Sequence, residues 1–431
     1  DLPKAGGRYD LPIAIGILAA AGVLPQASLQ NRVFIGELAL TGALRRTRGG
    51  LVTALSLVEA GNQLVLPRDG AEEVSVVPGL ELQAADHLLQ VIAGLAGESE
   101  FLTVPSPEPG RLSWTDQDIS DVKGQALAKR ALTIAAAGNH NMLMYGPPGT
   151  GKSMLAERFA TLLPQLSTEA ALETAAIASV SNDGVDIENW LRRPFRSPHH
   201  SASAVSIVGG GNRASPGEVS LAHNGVLFLD EITEFDRKVL ENLREPLESG
   251  QVSIARASYR STYPADFTLI AAMNPCNCGY LGDAANPGRC RCTPDQVARY
   301  RAKLSGPLLD RIDMHIEVPR VPQEVLSAPV PEGEPTSEQV RARIEAVHAI
   351  QIQRQGVLNS KLGVKQVDEV CALGTSSQQL IDRAINQLGL SARAYHRILK
   401  LARSIADLDS SERIGQLHLS QAIQLRSLDR Q

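Results

Sequence analysis

Residues 141–153 read Asn141-Met142-Leu143-Met144-Tyr145-Gly146-Pro147-Pro148-Gly149-Thr150-Gly151-Lys152-Ser153, and the helix-forming run Met154-Leu155-Ala156-Glu157-Arg158-Phe159-Ala160 follows directly. An apolar strand, a glycine-rich turn and a helix in that order make a phosphate cradle. The glycines let backbone N–H groups wrap an anion, and the helix N-terminus adds a favourable dipole. In such a cradle Lys152 neutralises the β and γ oxygens of a nucleoside triphosphate and Ser153 ligates Mg²⁺. Gly146, Pro147, Pro148, Gly149, Thr150, Gly151, Lys152 and Ser153 are therefore the candidate ATP-binding residues.

Downstream, Val226-Leu227-Phe228-Leu229-Asp230-Glu231 reads as a buried parallel strand that delivers two acids to the sheet edge where the phosphate loop lies. Asp230 is expected to hold Mg²⁺, and Glu231 to polarise an attacking water. A second apolar strand, Thr268 to Met273, ends at Asn274. That amide either orients the water or contacts the γ-phosphate, or it simply ends the strand before Pro275. Arg311 follows in Leu308-Leu309-Asp310-Arg311-Ile312-Asp313, and Arg393 opens a helix at Ser391-Ala392-Arg393, with Arg397 one turn on. Each arginine is a candidate phosphate ligand or an ordinary surface ion pair. Val122 and Gln125, in Val122-Lys123-Gly124-Gln125, are the candidate adenine-holding turn or a plain helix entry.

The chain of 431 residues is long for one hydrophobic core, and its aromatic content of 4% with abundant Ala, Leu, Ile and Val favours helix-rich α/β architecture. The expected organisation is a small α+β domain over 1–98, a Pro-rich linker over 99–111, a P-loop domain over 112–319 and a helical lid over 320–431. Helices are expected at 337–355, 376–388, 392–407 and 420–428, with serines at their starts. A net charge of −5 does not exclude nucleic acid, because a channel can be basic inside an acidic exterior. No uninterrupted apolar stretch of about twenty residues occurs, so no membrane span and a cytoplasmic location are expected. The sequence starts at Asp1 inside a recognisable pattern, and an N-terminal piece is expected to be absent.

Arg193-Pro194-Phe195-Arg196-Ser197-Pro198-His199-His200, Val208-Gly209-Gly210-Gly211, Ser220 to Glu231 and Arg244 to Gly250 together resemble the magnesium-chelatase-type clade of AAA+ proteins. Asn274-Pro275-Cys276-Asn277-Cys278-Gly279-Tyr280 and Tyr300 to Asp313 narrow the resemblance to the YifB/ComM group of bacterial chelatase-like proteins. The resemblance covers nearly the whole chain. It implies an AAA+ domain with ATP and Mg²⁺ as cofactors and Asn274 as sensor 1. It also implies Arg311 as an arginine finger for a neighbouring subunit and Arg393 as the sensor 2 arginine. Where characterised, the group implies a homo-hexameric DNA helicase that drives branch migration during natural transformation. Asp1 to Ile15, Gly36 to Arg45 and Gly49 to Thr53 further resemble the Lon-protease domain, but its serine position falls near Arg8 and its lysine position near Val52. Neither nucleophile nor base is present, so a catalytically dead protease fold is expected.

Gln251 to Arg256 and Tyr259 to Tyr263 alternate like two hairpin strands turning at Ala257 and Ser258. In the resembling clade such a hairpin points to the ring pore, where Arg256 and Arg260 would track DNA phosphates and Tyr259 would stack on a base; a purely structural hairpin is the other reading. The segment from Ser197 to Asn212 is expected to form a second pore-side insert, and His199-His200 alone is no metal pair. Cys276, Cys278, Cys290 and Cys292 have the donors for a tetrahedral Zn²⁺ site, or are reduced, unligated thiols or redox-labile pairs; Cys371 is expected in the core. The rival functions are a chelatase-type ATPase remodelling a protein partner, an ATP-dependent protease, and a nucleotide-gated scaffold that binds DNA without moving it.

Overall fold

The computed structural model describes residues 7–58, 60–105, 117–181, 183–211, 214–255, 260–283, 285–329, 331 and 333–430. They divide into two compact units: Asp1–Ser113 with Leu166–Arg192, and Trp114–Gln165 with Arg193–Gln431.

In the first unit β1 (Arg32–Phe34), β2 (Gln63–Pro67) and β3 (Leu82–Ala85) form a parallel sheet in the order β1-β2-β3. Helix α1 (Asp10–Ala20) and helix α2 (Gly50–Val58) contribute Leu11, Ile15, Leu51 and Ala54 to its two small cores. The excursion Leu166–Arg192 completes this unit. Its helix Thr168–Val180 places Ala175 among Leu51, Leu64 and Val74, and the N–H of Gly49 donates to the Ser179 carbonyl across 3.1 Å. Arg8 donates to the Thr53 hydroxyl.

The second unit is built on five parallel strands: β4 (Met142–Tyr145), β5 (Phe195–Arg196), β6 (Val226–Leu229), β9 (Thr268–Met273) and β10 (Met314–Glu317), in the order β10-β4-β9-β6-β5. Between β6 and β9, β7 (Gln251–Ala255) and β8 (Arg260–Pro264) form the antiparallel hairpin. Apolar residues fill both faces of the central strands, as a sheet covered on both sides requires. Their alternation divides them cleanly. Met142, Met144, Val226, Phe228, Ile270 and Ala272 enter one core, whereas Leu143, Tyr145, Leu227, Leu229, Leu269 and Ala271 enter the other.

The first core also takes in helix α3 (Ala126–Gly138), the helix α4 (Lys152–Leu162) after the glycine loop, and the C-terminal helices α5 (Ser337–Gln355) and α6 (Ala392–Leu408), through Leu132, Phe159, Ile344, Ile398 and Ile405. The C-terminal helices start somewhat differently from the serine pattern. Thr336, not Ser337, caps α5 in a capping box with Gln339, while the Ser337 hydroxyl accepts from the Ile119 N–H at 2.9 Å. The last α-helix begins at Gln416 with Gly415 as its cap, so Ser420 lies inside it. Ser391 does cap α6.

One buried carboxylate ties this helical layer to the sheet. Asp313, just before β10, pairs with Arg397 of α6 and accepts from the Asn141 N–H at 3.0 Å, with His140 at 3.5 Å. Burial alone would raise its pKa, but the Arg397 charge and the His140 hydrogen bond outweigh it and hold the carboxyl well below the usual range. A carboxyl depressed in the folded state contributes stability that is complete above its unfolded pKa of about 3.9 and is lost as pH falls through the folded value. Asp313→Asn should therefore cost roughly 3 kcal/mol at neutral pH, the scale for breaking a buried ion pair. It should also flatten the acid limb of stability against pH. Denaturant unfolding of both proteins between pH 2 and 7 checks both effects.

Candidate nucleotide site

The loop from Gly146 to Gly151 leaves β4 at its carboxyl end and enters α4 at Lys152. Gly149 (φ +75°) and Gly151 (φ +86°) occupy the left-handed region, which turns consecutive N–H groups to one side. A Cβ on Gly146 would stand 2.2 Å from the Val318 carbonyl oxygen, so only glycine lets the loop start this close to the end of β10. Lys152 is buried and donates to the carbonyls of Gly146 (2.8 Å) and Pro147 (3.0 Å). Burial lowers its pKa, opposed by the negative charges of Asp230 and Glu231. Thr150 Oγ1 donates to the Pro147 carbonyl across 3.1 Å and helps close the turn.

The sheet order brings three strand ends to this loop. From β6, Asp230 Oδ2 accepts from the Ser153 hydroxyl at 2.6 Å, and Asp230 Oδ1 accepts from the Glu231 N–H at 2.9 Å. Glu231 itself adopts a left-handed conformation (φ +49°), which breaks the strand immediately after Asp230. Asn274 follows β9, between β4 and β6, and its neighbour in space is Gly279, whose added Cβ would stand 3.0 Å from Pro148. Two hard oxygen donors on adjacent elements, beside a lysine and a glycine cradle, fit a Mg²⁺–triphosphate. On the flank, Gln125 Nε2 donates to the carbonyls of Pro319 (2.7 Å) and Thr150 (3.4 Å), and Val122 is buried, so the turn 122–125 abuts the loop.

His200, expected only as part of a pore-side insert and not as a metal ligand, lies beside the site. Its Nδ1 lies 3.7 Å from Glu231 Oε2 and its ring 4.1 Å from that of His199, which brings the start of the segment after Ser197 to the acid expected to act as base. The contact spans 31 residues and no local pattern announces it.

Arg311 and Arg393 lie elsewhere, beyond the amino end of β4. The Arg311 carbonyl accepts from Asn141 Nδ2 at 3.1 Å, and both arginines line a cavity of about 500 Å³ with Asn139, Asn141, Arg397 and Lys400. Strand β4 separates this cavity from the glycine loop by roughly 13 Å at ~3.3 Å per residue. Arg311 is 13% exposed and is engaged by Glu248, the Arg244 carbonyl (3.1 Å) and the Pro307 carbonyl (2.8 Å). Arg393 is 69% exposed, with Asp310 at 4.0 Å. Arg256 and Tyr259 lie outside the described residues, as does the Arg260 side chain; the two hairpin strands pair from Gln251↔Pro264 to Ala255↔Arg260. Cys276, Cys278, Cys290 and Cys292 converge, with their sulfurs within 4.8 Å of one another, whereas Cys371 is buried apart, its thiol pushed up to about 12 chiefly by burial.

Residues 118–326 match the family described as magnesium chelatase, subunit ChlI; residues 334–426 match its C-terminal family and residues 1–70 the family described as subunit ChlI of Mg-chelatase. The whole chain is 47% identical to the protein YifB of Escherichia coli and 46% identical to the competence protein ComM of Haemophilus influenzae, covering 84% of each. A further relative, from Mycobacterium tuberculosis, is 38% identical over 94% of the chain and 81% of its own length. The chain is a member of the YifB/ComM group of magnesium-chelatase-like proteins.

Membership in the YifB/ComM group accounts for the parallel sheet and the glycine loop together, and the group's chelatase-like ATPase character implies ATP and Mg²⁺. No helix among the described residues is long and apolar enough to cross a membrane. The tight contact at Gly146 gives a direct check. Gly146→Ala must displace either the loop or the end of β10, so the variant should lose the thermal stabilisation that Mg²⁺–ATP gives the parent, read by differential scanning fluorimetry.

Proposed function

We propose that this chain is the protomer of a ring-shaped, hexameric ATPase that moves DNA, and that it promotes branch migration of incoming strands during natural transformation. The observation that carries the ATPase reading is the convergence of Lys152, Ser153, Asp230, Glu231 and Asn274 at one sheet edge. Lys152 neutralises phosphate charge, and the backbone N–H groups of 149–153 orient the phosphate chain. Ser153 and Asp230 would hold Mg²⁺, which when bound supplies charge neutralisation on the β and γ oxygens. Glu231 polarises the attacking water, Asn274 positions it, and Val122 with Gln125 flanks the adenine.

Arg311 and Arg393 sit too far from the loop of their own protomer to serve it, which supports a role toward a neighbour's nucleotide. A ring built from one heterologous interface would place them so. The exposure of Arg393 suits direct contact, while Arg311 would first have to leave Glu248. The DNA reading rests on the similarity to the Haemophilus competence protein ComM, and on the β7–β8 hairpin as carrier of Arg256, Tyr259 and Arg260. We read the first unit as a Lon-like fold without proteolytic chemistry: Arg8 contacts Thr53, beside Val52, where a protease would need a nucleophile and a base.

A second reading, remodelling of a protein partner, is favoured by the chelatase family matches. Branched and single-stranded DNA separate the two. The DNA-motor reading predicts that both stimulate ATP hydrolysis and that a four-way junction is resolved in an ATP-dependent manner; DNA-indifferent hydrolysis would favour the protein remodeller, and DNA binding without junction movement a scaffold. For the chemistry itself, Glu231→Gln should keep nucleotide affinity and lower kcat by roughly a hundredfold or more. Lys152→Ala should instead weaken ATP binding. Normal turnover by Glu231→Gln would remove the assignment of the base.

A further inference from the structure

We propose that Cys276, Cys278, Cys290 and Cys292 bind one structural zinc ion, and that this ion fixes the loop between Asn274 and Thr293, where the next helix is capped, against the phosphate loop. The second half rests on the ATPase reading above; the first does not.

The sulfur positions carry the metal assignment. Cys276 Sγ lies 3.4 Å from Cys278 Sγ and 3.8 Å from Cys290 Sγ, and Cys278 Sγ lies 3.6 Å from Cys290 Sγ. A tetrahedron with Zn–S bonds of about 2.3 Å has edges of about 3.8 Å, so these sulfurs already stand close to the separations one zinc ion imposes. All four are free thiols rather than disulfides. Four sulfurs packed around one point, with Cys276 fully buried, would repel one another as thiolates without a cation to share. Polyiron clusters need wider sulfur spacing, and the all-sulfur tetrahedral donor set favours zinc.

The loop has little else to define it. Among its described residues, Gly279 to Arg289 has no helix or strand; it is held by turn hydrogen bonds, such as Gly279 N–H to the Cys276 carbonyl (3.0 Å), by the Asp283 carboxylate accepting from the Ala285 N–H (3.1 Å) and Asn286 Nδ2 (3.0 Å), and by Arg289 over the Tyr280 ring. Yet it touches the nucleotide site at several points. Gly279 (φ +83°) packs on Pro148 beside Asn274. The buried carboxylate of Asp283 holds the Arg320 guanidinium at 3.1 Å, and Arg320 in turn donates to the Pro148 carbonyl at 3.2 Å. In the helix that follows the loop (Pro294–Arg301), Tyr300 shares a 2.7 Å hydrogen bond with Thr233, two residues after Glu231. A metal clamp joining the start of this loop to residues 290–292 would replace the missing secondary structure and hold Asn274 and Pro148 in place.

The test begins with metal content. The protein, purified without chelator from zinc-supplemented cells, should carry about one zinc per chain by plasma mass spectrometry. Cys371→Ser and Lys152→Ala should keep it, and Cys290→Ser/Cys292→Ser should lose it. That double variant should bind a fluorescent ATP analogue within threefold of the parent while its kcat falls at least fivefold. Should it fail to fold, stepwise mercurial titration of the parent replaces it, with released zinc read by a metallochromic dye and hydrolysis read in parallel; the two should fall together. Absence of zinc, zinc retained by the double variant, or a coloured, iron-loaded protein overturns the metal site. Zinc loss with unchanged kcat overturns its positioning role. A parent that binds zinc but hydrolyses no ATP leaves the metal site standing and removes the ATPase reading.

Discussion

The 2.6 Å hydrogen bond from Ser153 to Asp230 is the contact on which the site depends. The two residues are 77 positions apart, and only the strand order brings them together. Strand β9 separates β4 from β6, yet the loop after β4 reaches over Asn274 so that the first turn of α4 meets the end of β6. Every parallel strand releases its chain at the same edge, so glycine cradle, lysine, hydroxyl, two acids and amide collect there without any one loop having to be long. The price of that arrangement is tight backbone packing, visible at Gly146 against Val318.

The opposite edge of the same sheet carries a different chemistry. There Asp313 fastens the helical layer to β4 and β10, and the cationic side chains of Arg311, Arg393, Arg397 and Lys400 line one cavity. The Asp230 and Glu231 carboxylates at one edge, and at the other a cavity where Arg311, Lys361, Arg393, Arg397 and Lys400 outnumber the acids Glu248, Asp266 and Asp313, give the protomer two unlike faces. Unlike faces suit head-to-tail pairing, which gives a ring where the rotation closes. This connects the internal asymmetry of one chain to the assembly proposed for it.

Much of the nucleotide site was legible in the sequence because its signals are local. Val226 to Leu229 and Thr268 to Met273 are unbroken apolar runs ended by Asp230 and Asn274, and burial on both faces admits little else. The glycine loop announces itself by composition and by the strand and helix that flank it. What local pattern could not supply was partnership. The helix of residues 166–192 is alanine-rich without a marked apolar face, and nothing in it names Leu51 and Leu64 as the surface it covers. His200 meets Glu231 across 31 residues. Arg311 and Arg393 were recognised as arginines able to reach phosphate, but their common cavity beyond the amino end of β4 is a property of the fold. The caps show the same limit: Thr336 caps α5 with Gln339, while the Ser337 hydroxyl accepts from the Ile119 N–H.

The most direct measurement is subunit complementation. A variant with Arg311→Ala and Arg393→Ala keeps the phosphate cradle but loses the distal arginines; one with Lys152→Ala keeps the arginines but loses the cradle. Each alone should be inactive. Co-expressed in equal amounts and purified as mixed rings, they should recover about a quarter of the parent ATPase rate, because random assortment leaves about one interface in four with both halves intact. Mixed rings as inactive as either variant would contradict a site completed between protomers.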